Sequence, residues 1–354
     1  MPWGDPVTAK LRDVAKMAGV SMSTVSRALN GDQGRSVALE TRERILDVAR
    51  QLKYEPNDAA QRLVRRVDSR VHRTGRVGLI LGQAYKFSDP FWSRVLDGVT
   101  EELIRQEYHL HFALTIHDLE RQSQSVLRDI DGLILLGVMQ PPDQDGWSKP
   151  AVSIEGADDR DRWEHQLLTD VIAIEKRRAM YRLVAHLAAL GHRRLAFLGP
   201  SPSVDERAEA FTQALAHHDP SLEPAPLFPA EWSAEDGYQA TKSLLAAGHR
   251  PDALVCGCDT LAIGAMRAAK ERGLRLPDDL AITGFDDISF APDLDPPLTT
   301  IHVPKELLGE LAVRKLIERT AHPTYPPVVQ TVQTTLVVRG SCGAPRGAAP
   351  IQTE

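Results

Sequence analysis

Residues 11–30 read LRDVAKMAGVSMSTVSRALN, two short helices joined by a tight turn. Leu11, Val14, Ala15 and Ala18 recur at the i, i+3, i+4, i+7 spacing of one helix face. Gly19 can adopt the left-handed conformation that ends a helix, and Ser21 can cap the next one. In that second helix Val25, Ala28 and Leu29 form an apolar stripe, while Ser23, Arg27 and Asn30 point the other way. A short helix with a packed back and a front of small polar groups plus one Arg suits a DNA major groove. There Arg grips guanine with two hydrogen bonds and Ser serves several bases. An ordinary helical hairpin shares these features, so the following segment carries the decision.

That segment supplies a third helix and a fourth. Over 41–52 (TRERILDVARQL), Ile45, Val48, Ala49 and Leu52 share a face, and Arg42, Arg44 and Arg50 stay outside. Pro56 biases Glu55 away from helix, and Asn57 can cap a short helix from Asp58 to about Arg66. This helix is too short to stand alone in water. Its Leu63, among Arg62, Arg65 and Arg66, is either a minor-groove wedge or part of a charged linker. The formal net charge of −6 hides an asymmetry. Residues 1–72 hold 13 Lys and Arg against 9 Asp and Glu, and the remainder 29 against 39. A basic end on an acidic body fits a modular DNA binder.

Residues 10–66 resemble the headpiece of the lactose/galactose repressor family of bacterial transcriptional regulators, through DVAKMAGVSMSTVSRALNG, TRERI and YEPNDAAQRL. The resemblance implies that the second helix reads the major groove and that the hinge helix orders on the operator and inserts a leucine into the minor groove. The implied DNA-binding residues are Met22, Ser23, Thr24, Ser26, Arg27 and Asn30, then Asn57, Ala60 and Leu63 in the hinge, with Leu63 as the wedge.

From about Gly75 to Gly340 the chain alternates strand and helix. Short, nearly continuous apolar runs at 76–81, 132–136, 195–198, 253–256 and 280–283 suit parallel strands buried on both faces. Helical stretches at 91–106, 177–190 and 260–272 lie between them, so the body is βαβ architecture in two lobes. The resemblance continues through DPFWSRVLDGV, IDGLILLG, HLAALGHRRLAFLGP, ERAEAF, GLRLPDDLAITGFDD, PPLTTI and LVVRGS, covering about residues 10–342. The expected fold is therefore a small all-α helix-turn-helix headpiece plus an α/β, periplasmic-binding-protein-like body of two parallel-sheet lobes. The expected divisions are an N-terminal stretch 1–9, headpiece 10–55, hinge 56–74, body 75–342 and tail 343–354. The resemblance also implies three lobe crossings, near 172–175, 300–303 and 328–331.

It further implies an effector cleft between the lobes, formed by Phe91, Trp92, Glu155, Arg207, Trp232, Cys258, Asp259 and Asp286. The chemistry suits a mono- or disaccharide. Arg207 would donate a forked pair, Glu155 and Asp286 would accept from hydroxyls, and Trp232 would stack on the apolar sugar face. Several positions depart from the family pattern. Cys258-Asp259 replaces Asn-Asp, Asp89 replaces an Asn before Pro90, Ala210 replaces a Gly, and Ile174-Glu175-Lys176 replaces an Asp-Asn pair at a crossing. The sugar is therefore not named by resemblance.

Other classes find less support. Asp286-Asp287 reads as a metal carboxylate pair only in isolation, because no nucleophile elbow, phosphate loop or histidine cluster accompanies it. Three cysteines in this spacing make no zinc site and fit a reducing compartment. No cofactor or metal is expected. The N-terminus lacks a signal-peptide pattern, which opposes a transport binding protein, and no apolar run spans a membrane. The expectation is a cytoplasmic, nucleoid-associated homodimer on palindromic double-stranded operator DNA, without a membrane partner. Phe91–Gln106 and Lys305–Glu318 are expected at the dimer interface, and no leucine heptads follow Gly340. Repressor is the preferred mode, with activator or dual regulator as the alternative.

Arg27→Ala should cost roughly 1–3 kcal/mol on the operator and relax specificity at one base pair. Leu63→Ala should weaken operator binding and spare random DNA, because a wedge acts on a bent site. Equal losses on both DNAs, read by fluorescence anisotropy, would contradict both assignments.

Overall fold

The computed structural model describes residues 11–22, 24–25, 28, 38–52, 73–82, 89–121, 124–138, 141, 147–155, 169–218 and 226–343. The chain divides into two units between Arg73 and Thr74.

In the first unit, α1 (Leu11–Ala18) and α2 (Leu39–Gln51) close a small core. Its buried members are Val14, Ala15, Ala18, Val25, Ala28, Ile45, Val48 and Ala49, with Val20 and Leu52 packed against them. Gly19 takes φ +67°, and the Ser21 hydroxyl accepts from the Thr24 amide at 3.2 Å. The turn and cap expected from the sequence thus form as read.

The second unit has two parallel sheets. Its first lobe contains β1 (Arg76–Leu81), β2 (His109–Thr115), β3 (Gly132–Leu136), β4 (Ala151–Ile154), β5 (Asp170–Ile174) and, from near the end of the chain, β11 (Val329–Val332). They are ordered β11-β5-β4-β3-β1-β2, each neighbouring pair parallel. The second lobe orders β7 (Leu227–Pro229), β6 (Leu195–Gly199), β8 (Ala253–Cys256) and β9 (Ala281–Thr283) as β7-β6-β8-β9, again parallel. The central strands are buried on both faces, which is why they read as unbroken apolar runs. A short antiparallel pair, β10 (Thr300–His302) with β12 (Thr335–Val337), accompanies two of the lobe crossings.

Helix α3 (Pro90–Arg105) packs against the last long helix, Lys305–Ala321, which returns to the first sheet between β10 and β11. The remaining helices are α4 (Ile116–Arg121), α5 (Lys176–Ala189), α6 (Glu206–His218), α7 (Ala234–Ala246) and α8 (Asp259–Glu271), which makes Lys305–Ala321 α9. Buried Glu102 of α3 receives Nε and Nη2 of Arg314 of α9 at 2.9 and 3.3 Å. The crossings run through 174–176, 302–305 and 332–335. The third lies later than the sequence placed it, because 329–332 still pairs with β5 as an edge strand. Its two middle residues, Gln330 and Thr331, are exposed, so it lacks the apolar run of the other strands.

The two main helix pairs touch backbone to backbone at glycines. A Cβ on Gly98 of α3 would overlap the Glu306 carbonyl of α9, and one on Gly309 would overlap the Val95 carbonyl of α3. Gly237 of α7 and Gly264 of α8 make the same close approach in the second lobe. Helix propensity favours Ala over Gly by about 1 kcal/mol, but forcing these backbones apart costs about 1–3 kcal/mol. Gly98→Ala should therefore lower the urea midpoint of the body; a raised midpoint would show that the helices separate freely.

Candidate functional site

A cavity of about 480 Å³ opens between the carboxyl ends of the two parallel sheets. Ligands of open α/β sheets collect at such ends because the strand-to-helix loops converge there. Gly82, Gly137, Glu155 and Ile174 come from the ends of β1, β3, β4 and β5. Arg207 comes from the start of α6, Trp232 from just before α7, Cys258 from the N-cap of α8, and Asp286 from beyond β9.

Seven of the eight residues expected in the cleft line this cavity: Phe91, Trp92, Glu155, Arg207, Trp232, Cys258 and Asp286. Phe91 and Trp92 meet edge to face, with ring centroids 5.0 Å apart. Asp89, also on the wall, caps α3 by accepting from the Phe91 and Trp92 amides at 2.9 and 3.2 Å. Glu155 and Asp286 have φ values of +53° and +109°, backbone that costs energy for residues with a Cβ.

Asp259 is the exception. It is fully buried, its carboxyl accepting from the Ile288 amide at 2.8 Å and from the Thr300 hydroxyl, and it is not on the cavity wall. It braces the wall behind Asp286. Cys258 likewise has a framework task, its sulfur accepting from the Leu261 amide at 3.4 Å as the cap of α8. Burial pushes its thiol pKa up, so it is neutral.

The fork of Arg207 is already engaged. Nε and Nη2 donate to Asp205 at 2.7 and 3.0 Å, and Nη1 donates to the Gly257 carbonyl at 2.7 Å. The guanidinium lies 4.5 Å from the Trp232 ring centroid and 4.9 Å from that of Phe285. Lys176, at the start of α5, is the second cation on the wall. Its Nζ reaches Glu155 at 2.6 Å, Asp205 at 3.6 Å and Glu206 at 4.0 Å. Burial opposes charge on both cations, yet Glu155 and Asp205 prevail for Lys176 and Asp205 prevails for Arg207, and both pKa values rise. Burial would likewise raise Asp205, but Arg207 and Lys176 hold it well below the ordinary carboxylate range.

Sequence reading noted Lys176 as a family departure without a task and passed over Asp205. Its position two residues before Arg207, at a helix start, was the available signal. Asp286 behaves oppositely to Asp205. Burial raises its pKa well above the ordinary carboxylate value, Arg207 opposes and Asp259 adds to the rise.

For the DNA-facing set, Met22 is exposed and Thr24 half-buried, its hydroxyl 2.8 Å from that of Ser21. Ser23, with Ser26, Arg27, Asn30, Asn57, Ala60 and Leu63, lies outside the described residues. Among the described residues no His, Cys, Asp and Glu group can hold a metal, and no helix is long and apolar enough to cross a membrane.

Residues 10–57 match the family model for bacterial regulatory proteins of the lacI family, and 184–342 match a periplasmic binding protein-like domain. The chain is 32% identical to a ribose operon repressor of Haemophilus influenzae over 343 residues, 94% of this chain and 98% of the relative. It resembles the structure of a lac repressor dimer bound to operator and the anti-inducer ONPF. That match has a TM-score of 0.76 and 27% identity, and covers 95% of this chain and all of the other. It also resembles a complex of the transcriptional regulator CelR with cellobiose, with a TM-score of 0.65 and 26% identity over 94% and 99% of the two chains.

Asp259 gives the site a pH dependence. Burial, only partly offset by the hydrogen bonds from Thr300 and Ile288, pushes its pKa up to about 7. The folded body holds this proton over about pH 4–7, where the unfolded chain, with an Asp pKa near 3.9, has released it. Stability from this group is greatest at the acid end of that range and falls as pH rises toward 7, by on the order of 3–4 kcal/mol. Asp259→Asn should make the slope in urea titrations shallower, Asp286 keeping its own share; an unchanged slope would place the proton elsewhere.

Proposed function

The chain belongs to the lacI family of bacterial regulatory proteins and is a DNA-binding transcriptional repressor, and on that premise we propose that an uncharged mono- or disaccharide in the cavity between the lobes sets its operator affinity. The observation that carries this reading is the charge state of the cavity. Its two described cations, Lys176 and Arg207, are already matched by Glu155 and Asp205. A phosphate or carboxylate on the ligand would find no open cation there, and would face Asp89 and Glu231. Sugar hydroxyls, in contrast, both donate and accept. The aromatic pair Phe91–Trp92 and the ring of Trp232 offer apolar surface for a sugar face. The volume is within the ordinary range for small-molecule sites.

The acting species in this reading is a homodimer on a palindromic operator, since one headpiece reads too few bases for genomic selectivity. Recognition by Met22, Ser23, Thr24, Ser26, Arg27 and Asn30, with the hinge residues Asn57, Ala60 and Leu63, follows the family pattern. The first experiment is a thermal-shift screen of neutral sugars beside their phosphate esters, followed by operator titrations with each hit.

Trp232→Ala and Asp286→Ala should leave operator affinity without sugar within about threefold of wild type. The sugar response should move to at least about tenfold higher concentration, because ligand binding and not the starting equilibrium is lost. A folded Trp232→Ala protein that answers sugar at the wild-type concentration would remove this cavity from consideration.

A further inference from the structure

A second cavity, of about 850 Å³, lies beside the first and third crossings. Ile174, Glu175 and Lys176 of the first crossing and Thr331 and Gln333 near the third form part of its wall. Among the described residues, that wall carries Lys176, Arg177, Arg178 and Arg182 against Glu175 and Glu206, with His217 and His218 facing them from α6.

Three features point to an anion. The first turn of α5 holds Lys176, Arg177 and Arg178 and no acidic residue, and its N-cap Glu175 makes no side-chain capping bond. This opposes the helix dipole, which favours negative charge at the N-terminus. Glu175 is shared between two of the arginines, lying 3.3 Å from both Arg178 and Arg182. Arg182 Nε is buried without a hydrogen-bond partner, although Nη2 donates to the Thr334 hydroxyl at 2.6 Å. Burial also lowers the Arg182 pKa, the mark of a cation that its surroundings undercompensate.

We propose that this second cavity binds a small metabolite bearing phosphoryl groups and that its occupancy tunes lobe closure at the effector cavity. A phosphoryl group offers several acceptor oxygens to guanidinium forks from different directions and to the open amides of a helix start. The coupling has a physical carrier. Lys176 lines both cavities, and its Nζ reaches Glu155 in the first at 2.6 Å and Glu206 at 4.0 Å.

The test is calorimetric titration of the full chain with pyrophosphate and with glucose 6-phosphate, against glucose and sodium chloride of matched ionic strength. Saturable binding of both phosphates is expected, weakened at least about tenfold in Arg177→Gln/Arg178→Gln. Gln333→Glu, which adds a carboxylate to the wall at a site outside the helix, should weaken both as well and serves if the double variant does not fold. Pyrophosphate without glucose 6-phosphate would limit the site to inorganic anions and overturn the metabolite assignment. No saturable heat above the salt control, or equal heats in folded variants, would overturn the site. An unchanged sugar affinity with bound phosphate would overturn the tuning, since coupling between two sites is reciprocal. The binding arm uses no DNA and reads only phosphate-dependent heat above the glucose and salt controls, so its failure leaves the repressor reading standing.

Discussion

The body of this protein depends on one ionic cluster buried where its lobes meet. Lys176, on the second-lobe side of the first crossing, reaches back to Glu155 at the end of β4 in the first lobe and across to Asp205 in the second. Arg207 closes the cluster by gripping Asp205. Isolated charges at this depth would cost far more than a domain can spare, so each must have its partner. Removing Lys176 would leave Glu155 and Asp205 in low dielectric, which is why the cluster constrains the relative position of the lobes as well as the charge of the cavity. The strained backbone at Glu155 is held in place by the same contacts, its carboxyl also accepting from the Ile174 amide.

A second junction is built from backbone carbonyls. Lys305, at the start of α9, donates to the carbonyls of Asp286, Asp287 and Val303 at 2.6, 3.1 and 3.0 Å. Asp286 and Asp287 both have positive φ, and Asp287 is tied to His302 at 2.9 Å and Arg339 at 2.7 Å. The carboxyl facing the cavity is thus one residue from a knot that fixes two crossings and the origin of α9. Helix α9 in turn lies against α3 through Gly98, Gly309 and the Glu102–Arg314 pair, and α3 carries Phe91 and Trp92 into the cavity. An unbroken set of contacts runs from the cavity floor through the crossing and back to its opposite wall.

The sequence was most legible where periodicity and burial agree. The headpiece core and the doubly buried strands at 76–81, 132–136 and 253–256 follow from the spacing of apolar residues alone. Edge strands were harder. β2 has its first three residues exposed, and β11 only one buried residue, so neither shows a run. Within the site, the lining by Trp232 and Asp286 came from family pattern. The departures were legible as differences but not as roles: Cys258 caps a helix, and Lys176 becomes a buried cation, only once the fold places their neighbours. Asp259 shows the converse, since a polar residue beside the site in sequence turns its carboxyl into the framework. Local spacing does not say on which side of a wall a side chain stands.

Charge distribution links these levels. The body is acidic as a whole, with 39 Asp and Glu against 29 Lys and Arg beyond residue 72. That excess hides two opposite local balances on either side of one crossing. On the inner side Lys176 and Arg207 are neutralised and further carboxyls remain, among them Asp286, whose pKa burial raises. On the outer side α5 begins with three consecutive cations where a helix ordinarily begins with acids. Lys176 belongs to both faces, and its commitment to Glu155 leaves Arg177, Arg178 and Arg182 to set the outer potential. The replacement of the family's Asp-Asn pair by Ile174-Glu175-Lys176 therefore acts on both sides of the crossing, placing a paired cation on the inner wall and Glu175 between Arg178 and Arg182 on the outer one.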